Sequence, residues 1–77
     1  MQNRKEILKT VCAALSKILK REISEDEYDV KLSYIGVDSI LFTVFLLELE
    51  KELEKIDLNA ILESNANTIN SIVDVII

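Results

Sequence analysis

An all-α domain is the fold class this sequence predicts, and three observations predict it. The 77 residues include no proline and a single glycine, so little interrupts a helix. Hydrophobic residues reach 49% while aromatics are only 5%, and helix formers dominate the chain. The apolar positions recur at helical spacing in four successive stretches. A chain this short makes one domain and buries only about 60% of the surface its unfolded form exposes, so its core must be efficient.

The first helix is expected over residues 3–20. Ile7, Leu8, Val11, Cys12, Leu15, Ile18 and Leu19 form one wide apolar stripe. Lys5, Lys9, Ser16, Lys17 and Lys20 mostly fall outside it, and Asn3 is a candidate cap. Cys12 lies within the stripe, which favours a small core hydrophobe over a reactive thiol. As the only cysteine it has no disulfide partner inside the chain, so a reducing cytoplasm is the expected setting.

Residues 21–35 form a long connection. Ser24-Glu25-Asp26-Glu27 fits a capping box, a signal for one short helical turn. A connection of this length inside a small domain needs structure of its own. Ile23, Tyr28, Val30, Leu32 and Ile35 are the side chains expected to pin it.

A second helix is expected over 39–55, about 25 Å long at 1.5 Å per residue. Steps of 100° put Phe42, Phe45, Leu46, Leu49, Leu53 and Ile56 on one face, the core stripe. Ile40, Thr43, Val44 and Leu47 fall opposite, where a helix packed on one side is normally polar. Polar residues gather only later, at Glu48, Glu50, Lys51, Glu52 and Glu54. An outward apolar patch of this kind marks a docking surface unless another segment of the chain covers it. A short third helix is expected over 57–64, capped by Asp57, with Leu58, Ile61 and Leu62 inward. After a turn at Asn65-Ala66-Asn67-Thr68, a last helix over 68–76 is capped by Asn67 or Thr68, with Ile69, Ile72, Val73 and Ile76 inward.

At the centre stands Gly36-Val37-Asp38-Ser39-Ile40. The glycine permits a positive φ or a close approach. Asp38 is suited to cap the second helix, leaving the Ser39 hydroxyl at its first turn, beside the positive end of the helix dipole. Taken alone, Asp38 and Ser39 read as a cap. The five residues resemble the attachment motif of the acyl and peptidyl carrier proteins, Gly-x-Asp-Ser-Leu or Gly-x-Asp-Ser-Ile, and they lie about halfway along the chain as in that family. The stretch Leu32 to Gly36 and the pair Thr68-Ile69 are similar to the family's counterparts. The resemblance implies a single carrier domain over 1–77 with the acyl-carrier four-helix bundle: three longer helices, a short third and a long first loop. It implies that Ser39 carries 4'-phosphopantetheine through a phosphodiester, and that the arm's thiol holds acyl or aminoacyl cargo as a thioester. It implies a phosphopantetheinyl transferase, a loading enzyme and downstream biosynthetic enzymes as partners, and a monomer. Ile40, Thr43, Val44, Leu47 and Lys51 would face those partners. Val44 and Leu47 near the helix start, with Lys51 interrupting the acids, look more like carriers of non-ribosomal peptide or polyketide pathways than of fatty-acid synthesis. The cargo stays open among fatty acyl, polyketide, amino acid and aryl groups.

The formal charge of −5 is unevenly spread. Five of the nine basic residues lie in the first twenty positions, beside one acid; the remaining thirteen acids follow. An acidic chain attracts neither nucleic acid nor anionic membrane and suits partners with basic surfaces. The apolar run at 40–47 is far shorter than the roughly 20 residues of a bilayer span, and no signal segment opens the chain. Met1 favours a free-standing protein over a domain excised from a synthase. There is no histidine, no cysteine pair and no glycine-rich phosphate loop, and no base stands in sequence to activate a serine nucleophile, so an enzyme is not expected. The competing readings are a small helical adaptor with its hot spot at Ile40, Val44 and Leu47, and a domain phosphorylated at Ser39.

Overall fold

A computed structural model describes residues 3–53 and 55–77. Four α-helices follow one another: α1 (Arg4–Leu19), α2 (Ser39–Glu52), α3 (Leu58–Ser64) and α4 (Ile69–Ile76). No strand occurs among the described residues. The expected all-α bundle with a long first loop is what forms, although α4, at eight residues, exceeds the seven-residue α3 by only one.

α1 starts where Asn3 accepts from the Glu6 amide at 2.9 Å, satisfying one of the unpaired N–H groups of a helix start. It ends one residue earlier than expected, because Lys20 takes the left-handed conformation that closes helices (φ 58°). Ile7, Val11 and Leu15 are buried; Leu8, Cys12, Ile18 and Leu19 are half-buried against them. Ala14, outside the expected stripe, is buried as well.

The first loop holds two 3₁₀ turns, Glu25–Glu27 and Leu32–Ile35, the first where the capping box predicted one. Glu27 Oε1 accepts from the Ser24 amide (3.1 Å) and hydroxyl (2.9 Å). Arg21 grips the Glu27 carboxylate with two nitrogens, at 3.0 and 2.7 Å, and donates to the Ile35 carbonyl at 3.1 Å. This fork draws the end of α1, the first turn and the second turn together. Leu32 and Val37 are buried; Ile23, Tyr28, Val30 and Ile35 are half-buried. Asn70 on α4 secures the middle of the loop, donating its amide to Tyr28 O (3.1 Å) and its side chain to Asp29 (2.8 Å).

The core forms between α1 and α2 and between α1 and α4. Phe45, Leu46, Leu49 and Leu53 from α2 and its end meet Ile69, Ile72 and Val73 from α4 in one buried cluster. The side chains expected on the core face of α2 are therefore the inward ones, with Phe42 and Ile56 half-buried at the margins.

Two expectations are corrected. α2 stops at Glu52 rather than reaching 55, and Leu53 is extended (φ −118°, ψ 107°) while its side chain stays 5% exposed. Glu48, Glu50 and Glu52 oppose the negative end of the helix dipole, so prolonging the helix gains little, and the chain turns to bury Leu53 instead. Glu54 lies outside the described residues. In α3, Leu62 is 53% exposed rather than inward. That helix packs chiefly on α4, which leaves room for one deeply buried anchor, Ile61. At the last helix, Thr68 rather than Asn67 is the cap: its hydroxyl accepts from the Ser71 amide at 3.1 Å, and Ser71 Oγ accepts from the Thr68 amide at 2.9 Å.

Candidate functional site

The site grows from a single turn. Gly36 takes φ 106°, ψ 9°, a conformation that L side chains rarely adopt. Its amide and that of Val37 both point back to the Leu32 carbonyl, closing the second 3₁₀ turn. Val37 then enters the core, 4% exposed, and swings the chain outward at Asp38. Asp38 is extended, and its Oδ1 accepts from the Leu41 amide at 2.8 Å, while its carbonyl accepts from Phe42 N at 2.8 Å. α2 therefore begins at Ser39, as expected. Ser39 is exposed at the first helical position, where the first amides have no acceptor within the helix and the dipole is positive. An anion bonded to this hydroxyl sits in a favourable field.

Down the outer face of α2 the expected strip is present. Ile40 is 74% exposed, Val44 39% and Leu47 52%, with exposed Lys51 one turn further. Their spacing of four, three and four residues aligns them. No described segment covers them. Thr43 is exposed beside the strip and donates its hydroxyl to the Ser39 carbonyl at 3.1 Å. Lys51 lies 3.6 Å from Glu48, which Lys17 of α1 also contacts at 3.2 Å.

Beside the serine lies the groove that the family resemblance implies; sequence reasoning missed its lining, which comes not from the short third helix but from the turn after it, the second 3₁₀ turn and the start of α2. A hollow of about 240 Å³ opens there, with apolar lining from Leu32, Val37, Phe42 and Ala66. Lys31, Ser33 and Asn67 supply its polar lining, and Asp38 and Ser39 stand on its border. The Leu32 amide donates to Asn67 O at 2.8 Å, tying the two walls together. Periodicity within one helix carries no signal for this pairing, because residues 31 and 67 meet only in the folded chain. Tyr34, also missed, is 76% exposed, with the Lys31 ammonium 5.8 Å from its ring centroid.

Cys12 is half-buried, and burial pushes its thiol above the usual range, partly offset by the Tyr28 hydroxyl. This suits a core side chain and not a nucleophile. Among the described residues no acidic or sulfur cluster could hold a metal, and no helix is long and apolar enough to cross a membrane.

A free hydroxyl at a helix start, a groove beside it and an apolar strip below it agree with the comparisons. The family described as "Phosphopantetheine attachment site" matches residues 9–76. The chain belongs to this family, and is a carrier protein of the kind that bears 4'-phosphopantetheine covalently on a serine. Neither the curated proteins nor the solved structures gave a significant match.

Proposed function

We propose that Ser39 is the attachment serine, and that residues 1–77 act as a single non-catalytic carrier domain in the cytoplasm. The observation that carries this reading is the exposed Ser39 hydroxyl at the first position of an Asp38-capped helix. It is the serine in the Gly-x-Asp-Ser-Ile segment inside the matched family region. Once bound, the group supplies a thiol on a flexible arm that holds acyl or aminoacyl cargo as a thioester.

The chain's own residues do three things. Ser39 Oγ becomes bonded to phosphorus as the pyrophosphate of coenzyme A breaks; adenosine bisphosphate leaves, and the hydroxyl proton passes to a base of the transferase. Asp38 fixes the helix start, so the serine is presented at one place and angle. Ile40, Thr43, Val44, Leu47 and Lys51 dock the phosphopantetheinyl transferase, the loading enzyme and downstream enzymes. Apolar side chains close to the serine fit polyketide, non-ribosomal peptide or related biosynthesis, where such contacts are less charged.

The test is intact mass after incubation with coenzyme A and a broad-specificity phosphopantetheinyl transferase. The wild type gains one phosphopantetheinyl group and Ser39→Ala gains none. An unmodified wild type, or an equally modified Ser39→Ala, ends this reading.

A further inference from the structure

The groove beside Ser39 contains one cation. Its lining includes both Lys31 and Asp38. Of the nine basic residues only Lys31, Lys51 and Lys55 follow position 21, and Lys51 is three turns down α2 in contact with Glu48. Arg21 is occupied by Glu27 and the Ile35 carbonyl. Lys31 is also held in place. Its carbonyl accepts from Tyr34 N at 2.8 Å, the next amide is bonded to Asn67 O, and its ammonium lies over the Tyr34 ring. Tyr34 thus has a use for its exposed face, and Lys31, itself exposed, carries its charge at the groove.

We propose that Lys31, braced by Tyr34, pairs with the phosphodiester of the arm attached at Ser39 and tilts the root of the arm into the groove over Leu32, Val37, Phe42 and Ala66. This rests on the reading of Ser39 as the attachment point. Attachment adds a permanent negative charge one residue from the Asp38 carboxylate, a like-charge neighbour that a lysine on the same groove offsets. The phosphodiester is the anion concerned, and not a carboxylate of the cargo. It is bonded to Ser39 itself and stays on the groove's border, whereas the cargo end swings an arm's length away. A lysine is a compact point charge on a flexible stem and follows such a group without fixed geometry. Lys31 acts here as a positioning residue for the arm.

The experiment compares the apo and holo forms of the intact chain. Both are treated with a limiting amine-acetylating reagent, and each lysine is quantified by peptide mass spectrometry. Loading is expected to lower Lys31 reactivity about two- to fivefold, the range an exposed ion pair supports. Lys51 and Lys55 should be unchanged, and about 0.5 M salt should restore Lys31 by screening. In parallel, the ³¹P resonance of holo wild type should differ from that of holo Lys31→Met at low salt and coincide with it at high salt. A loaded protein whose Lys31 reacts as fast as in the apo form, with coincident ³¹P resonances at all salt concentrations, overturns the Lys31 assignment and leaves Ser39 standing. Failure of loading on Ser39 overturns both.

Discussion

Helices α4 and α2 are both rich in apolar residues, yet they use them differently. In α4, Ile69, Ile72 and Val73 are fully buried, and its polar residues also serve the fold. Asn70 holds the first loop, Asp74 pairs with Arg4, and Ser71 closes the Thr68 box. In α2, Phe45, Leu46 and Leu49 face the core while Ile40, Val44 and Leu47 face water. Leaving that much apolar surface wet gives up roughly 25 cal/mol for each Å² that burial would have covered. The fold does not require it, since a polar strip would pack equally well. α4 is a structural helix throughout; α2 divides its surface between the core and an outside partner.

Adjacent positions on α2 break that comparison most sharply. Phe45→Ala should cost about 3–5 kcal/mol, because a fully buried ring leaves a cavity. On a domain of this size that is a large share of total stability. Chemical denaturation would show a much lower midpoint or no folded baseline; an unchanged midpoint would contradict the assigned core face. Gly36→Ala comes next, at about 1–2 kcal/mol for placing an L side chain at positive φ. A Cβ there would meet only Leu19 Cδ2 at 3.6 Å, ordinary contact, so the cost is conformational and not steric crowding. The loss belongs to the entry into α2. Amide exchange should therefore accelerate around 36–41 more than in α4.

These positions also explain what was legible in the sequence. The helix order, the caps Asn3, Asp38 and Asp57 and the inward residues of α4 follow from local rules, since a cap bonds three residues away and a face repeats every 3.6. Leu62 and the end of α2 were not legible in this way. Whether Leu62 is covered depends on what lies beside a seven-residue helix, and the stop at Glu52 carries no glycine or proline to announce it. Around the site, Ser39 and the Ile40–Leu47 strip follow from one segment of chain. The lining of the groove and Lys31 do not, because they need the turn before α4 to arrive from 35 residues away.

Acid offers a third contrast. The loop leading into α2 is held by a titratable pair, whereas the entry to α4 is held by the hydroxyls of Thr68 and Ser71. The Arg21 guanidinium, helped by the Ser24 amide and hydroxyl, draws the Glu27 carboxyl from its ordinary 4.5 down to about 2. A carboxyl lowered on folding contributes stability that is full above about pH 4.5 and fades as pH falls toward about 2. Water screens this exposed pair, so the effect is modest. The expected result is that the stability difference between wild type and Glu27→Gln, measured by urea midpoint, is largest near neutrality and shrinks across that window. A difference that persists unchanged at pH 2.5 would remove the ion pair from the explanation.

Val44→Glu should change stability least and tests the other half of α2. The side chain is 39% exposed on the outer strip, and surface changes away from caps and cavities generally stay within about 0.5 kcal/mol. A carboxylate there also stands one turn from Glu48, a small destabilising repulsion along the helix. Its expected consequence lies in recognition. If the strip is the partner surface, placing a charge at its centre should lower the efficiency of modification by a phosphopantetheinyl transferase by at least about fivefold, the loss that about 1 kcal/mol of contact energy produces. Asn59→Ala, exposed on α3 and outside the strip, serves as the near-neutral control. Equal modification rates for Val44→Glu and wild type, at equal urea midpoints, would mean that this transferase reads the serine without the strip, and that the exposed face of α2 answers to a different partner.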